Sequence, residues 1–149
     1  LENAYLLFRV PYFSPSLKKQ MANPFKAFAI DLGLKNAMAA FSKDIGWAYE
    51  TLVAIELKRQ NLDIYYWKNY LHDEVDFVVK KGLGTGQLVQ VCYNLDEPEV
   101  KKRELRALLK ASKELRCRNL LVITGEYEAE EKHGGKTIKF VPLWKWLLA

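Results

Sequence analysis

Apolar positions recur along this chain with two different periods, and the switches between them mark its elements. Residues 44–60 are apolar around most of a helix circumference, with Asp44 suited to cap the start and Asn61 to stop the end, as expected of a buried helix. Three short alternating stretches come next, at 63–67, 75–80 and 87–93. Strict alternation places Asp76 and Val78 on one face of the second, opposite Val75, Phe77 and Val79. In the third it puts Leu88, Gln90 and Cys92 together, opposite Val89, Val91 and Tyr93. Pro98 then opens a helix to about Arg116, with a core stripe of Leu105, Leu108, Leu109, Ser112 and Leu115. Asn119 to Thr124 is apolar throughout, as a central strand is. An acidic loop, a strand at 137–141 and a short helix at 142–149 complete the series. Further upstream, Phe25–Ile30 is a strand candidate and 34–42 a helix candidate, behind a stretch punctuated by Pro11, Pro15 and Pro24.

The order helix, three strands, helix, strand predicts an α/β fold, with a mixed central sheet and helices on both faces. The helical connection into the apolar strand allows a parallel right-handed crossover. Half of the 149 residues are hydrophobic and 28% are charged, enough for a packed core. No apolar run approaches the ~18 residues of a membrane span, so no membrane association is expected. Leu1-Glu2-Asn3-Ala4 has neither an initiator Met nor a leader signature and reads as part of a longer polypeptide. Cys92 and Cys117 both lie in apolar stretches and read as buried free thiols of a reducing cytoplasm. His72 and His133 are isolated from each other and from both cysteines, which argues against zinc.

Candidate chemistry comes from polar residues set into apolar surroundings. Glu50 neighbours Gly46, Trp47, Val53, Ala54 and Leu57 at helical spacing, and a carboxylate in such a stripe is costly unless paired. A helix acid, an acid on one strand (Asp76) and a polar-x-polar pair on the next (Gln90, Cys92) is the layout of a divalent-metal nuclease site. There Mg²⁺ activates water and stabilises the leaving oxygen, and a lysine beside it neutralises developing charge. Glu50, Asp76 and Gln90 offer metal oxygens, while Cys92 stands where the lysine belongs and carries no positive charge. Lys80 is a distant substitute. The structural alternative has Asp76 ordering a hairpin, Gln90 as a satisfied core amide and Glu50 paired with Lys35, Lys58 or Lys80.

Several motifs, in order, resemble the C-terminal domain of archaeal and bacterial AAA-type P-loop ATPases, a relative of the PD-(D/E)xK nucleases. They are Asn23–Leu34, Trp47-Ala48-Tyr49-Glu50 with Val53, Glu56 and Leu57, Tyr65-Tyr66-Trp67, Glu74–Val79, Gln90–Tyr93, Arg103–Leu108 and Asn119–Thr124. The resemblance covers nearly the whole chain. It implies a restriction-endonuclease-like core at 33–149, preceded at 1–32 by the last helix and wing of a winged-helix segment. It also implies a catalytic set at Glu50, Asp76, Gln90 and Cys92, with Gln in place of an acid and Cys in place of lysine. By that reading the ATPase portion of the full-length chain is a partner, and any ATP site lies outside this sequence. Gly134-Gly135-Lys136-Thr137 mimics the end of a Walker A loop, but Glu130 stands at the position of its first glycine, so it reads as a hairpin turn.

The net charge is +5. Arg103, Arg106, Lys110 and Lys113 line one helix face, either as a solvated surface or as contacts to DNA phosphates. Three functions stay open. One is a catalytically degenerate, DNA-binding or regulatory module of an ATPase. Another is an active Mg²⁺-dependent endonuclease with a relocated lysine. The third is an oligomerisation domain, to which Trp144-Lys145-Trp146 points.

Overall fold

The computed structural model describes residues 6–30 and 45–149. Its main sheet has six strands in the order β3-β4-β5-β6-β8-β7. These are β3 (Ile64–Lys68), β4 (Glu74–Lys81), β5 (Gly84–Cys92), β6 (Leu120–Thr124), β7 (Ala129–His133) and β8 (Lys136–Pro142). Pairing is antiparallel from β3 to β5, parallel from β5 through β6 to β8, and antiparallel again at β7. The parallel β5–β6 pair is connected through helix α3 (Pro98–Glu114). The expected α/β class and mixed sheet are therefore present. The helix candidate at 34–42 lies outside the described residues.

Each sheet face has its own core. On one, α3 packs Leu105, Leu108 and Ala111 over Val75, Val78, Leu88, Cys92 and Val122. On the other, α2 (Ile45–Arg59) packs Val53, Ala54 and Leu57 over Phe77, Val79, Val89 and Ile123. Leu105, Leu108 and Ser112 of the predicted α3 stripe are buried, joined by Ala107 and Ala111, while Leu109 and Leu115 are half-buried at its border, because a 3.6-residue period sets the buried face but not its edges.

The N-terminal segment departs from expectation. The resemblance puts Leu7 and Phe8 in a helix, but Leu7–Val10 is a strand, β1, paired antiparallel with β2 (Lys26–Ala29). A short helix, α1 (Leu17–Ala22), capped by Ser16, lies where a wing was expected. Val10 and Phe28 are buried with Val53, Leu57 and Phe77, so the β1–β2 pair shares a core with α2 and β4. Between β1 and α1, Tyr66 donates its backbone N–H to the Pro11 carbonyl (3.0 Å), and its own carbonyl accepts from Phe13 (2.7 Å). This short parallel pairing covers the edge of β3. Strand β7 also replaces part of the expected acidic loop. Its charged residues suit an edge, and Gly134 and Gly135, both at positive φ, close the β7–β8 turn that mimics a Walker A fragment in sequence.

Candidate functional site

A bulge in β4 decides where the acids point. Tyr65 pairs with Val78 and Trp67 with Val75, so Asp76 and Phe77 together oppose Tyr66. Two residues against one interrupts alternation. Val75 and Val78 both enter the α3 core, while Phe77 enters the α2 core. Asp76 turns with Phe77 toward α2 and β2, not with Val78 as strict alternation predicts.

Lys26 of β2 meets the acids there. Its ammonium lies 2.8 Å from Glu50 Oε1, 2.6 Å from Glu74 Oε1 and 3.2 Å from Asp76 Oδ1. The second oxygen of Glu74 takes Lys68 at 3.2 Å. The second oxygen of Asp76 accepts the Val91 backbone N–H at 2.9 Å. All four side chains of the cluster are less than a third exposed, Asp76 least at 13%. Burial works against the Lys26 charge, but Asp76, Glu50 and Glu74 outweigh it and hold the ammonium protonated well above the usual lysine range. Burial pushes the Asp76 carboxyl up to about 7 against the pull of Lys26, and Glu50 adds to the rise. For Glu74, burial is overcome by Lys26 and Lys68, which keep it below the usual carboxylate range.

Gln90 and Cys92 do not join this cluster. Leu88 and Cys92 belong to the α3 core, and Gln90 reaches the same helix, donating from Nε2 to Glu104 at 2.5 Å. The Gln90 carbonyl accepts the Asp76 backbone N–H at 3.2 Å, filling a ladder position that the bulge leaves open. Gln90 is thus a satisfied core amide and Asp76 orders the strand pair. Cys92 donates to the Asn94 carbonyl, and burial with Glu104 nearby pushes its thiol up to about 11. From β5, the residues on the side of the acids are Val89 and Val91, both apolar. The structure brings together Glu50 and Asp76 of the expected set, adds Glu74 and Lys26, and leaves Gln90 and Cys92 across the sheet. Of the partners proposed for Glu50, Lys58 and Lys80 give way to Lys26, and Lys35 lies outside the described residues. No sequence signal points to Lys26, which becomes a neighbour only once β2 packs beside β4.

The residues do not fit a magnesium site. Mg²⁺ needs near-octahedral oxygen coordination at ~2.0–2.1 Å. An ammonium stands where these carboxylates converge, and the free oxygen of Asp76 is taken by a backbone donor. Among the described residues, no group of three or more His, Cys, Asp or Glu side chains is arranged to hold a metal ion.

The basic face of α3 is partly neutralised from within. Arg106 and Lys110 both bind Asp73, at 3.0 and 2.5 Å, and Arg103 binds Glu104 at 2.7 Å. Hydrogen bonds from Lys110 and Asn69 hold the Asp73 carboxyl down to about 2. Lys113 stays exposed. Both cysteines are free and buried, as expected. At the C-terminus, Trp146 packs on the α2 core while Trp144 is exposed, on the short helix α4 (Leu143–Leu147). No helix among the described residues is long and apolar enough to cross a membrane.

The chain has counterparts among known sequences. Residues 45–146 match the family described as a domain of unknown function, DUF4143, and the chain belongs to that family. It is similar to the uncharacterized protein MJ1544 of Methanocaldococcus jannaschii, 38% identical over 159 residues, which cover 98% of this chain and 34% of that protein. The chain thus spans about a third of the length of the curated relative it matches. No solved structure matches it.

Proposed function

We propose that this is a nuclease-like domain that has lost catalysis and serves a longer, ATPase-bearing polypeptide as a DNA-binding, regulatory module. One observation carries the reading: the Lys26 ammonium bonds Glu50, Glu74 and Asp76 at once. In a working metal nuclease a lysine stands beside the cation and assists it. Here the lysine takes the cation's own place, and the lysine position of the sequence motif is a neutral thiol facing the other core. The restriction-endonuclease-like core is inferred from the order of elements and from the resemblance of the motifs. The family match, and a relative about three times as long, support a role inside a larger chain. The +5 charge and the exposed part of the α3 face support a polyanionic partner.

The relocated-lysine nuclease keeps one supporting observation, since a lysine does reach Glu50 and Asp76. Incubation with plasmid and single-stranded DNA in Mg²⁺ or Mn²⁺ separates the two readings. The module reading expects salt-dependent binding and no cleavage. Chelator-sensitive nicking that disappears in Asp76→Ala would establish the nuclease instead.

A further inference from the structure

We propose that a strip running from the exposed face of α3 to the cleft beside Lys26 is a path for single-stranded nucleic acid, with Tyr70 as its main stacking surface. The proposal rests on the nucleic-acid-binding reading above and names the form of nucleic acid taken.

Three clefts join along this strip. The first runs along α3, with Leu105 and Leu109 at its floor and Lys102 and Lys113 at its rim. Lys110 and Lys113 also line the second, which adds Trp67, Tyr70 and Leu71. Tyr12, Lys68 and Tyr70 line both the second and the third, which ends at Phe25, Tyr66 and Lys26. The third encloses about 540 Å³, within the ~300–1,000 Å³ of small-ligand pockets. Lysines and the rings of Tyr12, Tyr70 and Phe25 therefore share one continuous surface, with the Glu114 and Glu74 carboxylates at two points along it.

Trp67 and Tyr66 are buried beneath the strip, while Tyr70 and Phe25 are displayed on it. Tyr70 is 88% exposed and Phe25 50% exposed. Tyr70 also sits on a fixed turn. The Asn69 side-chain oxygen accepts from the Leu71 and Asp73 backbone N–H groups at 2.9 and 3.0 Å, and His72 takes a left-handed φ of 63°. Asn69 donates to Asp73 at 3.0 Å, and Asp73 binds Arg106 and Lys110. One buried carboxylate thus locks the ring's turn to the cationic helix face. Its single negative charge meets two positive ones, so the face keeps a positive balance.

A duplex presents phosphates and keeps its bases stacked within. A single strand offers phosphates to cations and base faces to rings, which is the combination displayed here. The acids behind Lys26 repel phosphate, so the strand places a base, not its backbone, over the third cleft.

Fluorescence anisotropy with a labelled oligothymidylate, and with a blunt duplex of equal length, tests this on the 149-residue chain. The single strand is expected to bind tighter. Tyr70→Ala weakens it about tenfold, within the range for loss of one stacked base, while Tyr70→Phe leaves affinity unchanged. Lys113→Ala lowers the salt slope by about 0.7. Leu83→Ala, a fully exposed apolar control on the β4–β5 turn, changes nothing. Full affinity in Tyr70→Ala, or preference for the duplex, overturns the strip and leaves the domain's role in binding DNA intact. Failure to bind either form overturns both.

Discussion

Replacing Lys26 with Met removes the one cation shared by three carboxylates and leaves the rest of the fold its packing. Taking one partner from a fully buried ion pair costs about 3–5 kcal/mol. These acids keep 13–31% side-chain exposure, so water recovers part of that and the expected loss is about 2–4 kcal/mol. For a chain of this size that lowers the midpoint of thermal unfolding by roughly 5–15 °C. The loss depends on pH, and its sign is set by the charges. Without Lys26, burial and mutual repulsion raise the folded-state pKa values of the carboxyls above their unfolded values. Stability from such groups is complete below the unfolded pKa and is lost as pH rises through the folded one. The variant is therefore closest to wild type near pH 4 and furthest from it near pH 8. Millimolar Mn²⁺ restores part of the loss in the variant, where an acid trio is opened, and does not move the wild type. Urea titrations of both proteins at the two pH values measure all of this. A variant within ~0.5 kcal/mol of wild type at pH 8, or equally weakened at both pH values, refutes the account of the cluster.

Neighbouring features carry further expected outcomes. Cys92→Lys places an ammonium in the α3 core, away from Asp76, so it loses about 2–4 kcal/mol in denaturant melts and gains no DNA cleavage in Mg²⁺. The native Cys92 thiol, pushed up to about 11, stays protonated at pH 8, and iodoacetamide labels it far more slowly in the folded chain than in urea. Asp73 is held down to about 2, so its contribution is present above its unfolded pKa near 3.8 and is lost as pH falls between the two. After allowing for the solvent around Arg106 and Lys110, that is about 1–2 kcal/mol, and Asp73→Asn flattens the acid limb of the stability curve. A Cβ at Gly125 would stand 2.8 Å from the Tyr93 carbonyl oxygen. Gly125→Ala should therefore separate the ends of β5 and β6 and lower the unfolding midpoint by an amount equivalent to about 1–3 kcal/mol.

The elements legible in sequence are those whose burial is periodic. Helices α2 and α3, and strands β3 to β6 and β8, emerge within a few residues of their ends because one apolar face or a continuous apolar run specifies each. Strand β7 escapes because an edge strand of Glu130, Glu131 and Lys132 carries the composition of a loop. Strand β1 has no period of its own, since four residues are too few to show one, and the family resemblance puts a helix there instead. Glu50 stands out by its discomfort among apolar neighbours, and Asp76 by its place in an apolar strand. Their partner does not, because nothing local to Lys26 says that β2 will lie beside β4. The bulge is the costlier omission. A single extra residue opposite Tyr66 carries Asp76 to one side of the sheet and leaves Gln90 and Cys92 on the other, and period-two counting cannot detect it.

Lys26 lies upstream of the segment by which the family is recognised, residues 45–146. The acids and the charge that balances them thus belong to different stretches of chain, and only the former fall within the diagnostic region. A comparison restricted to that region would include the three carboxylates and omit the ammonium they share. Whether the cluster is a family trait or peculiar to this chain is therefore decided in the preceding hairpin, outside the matched segment.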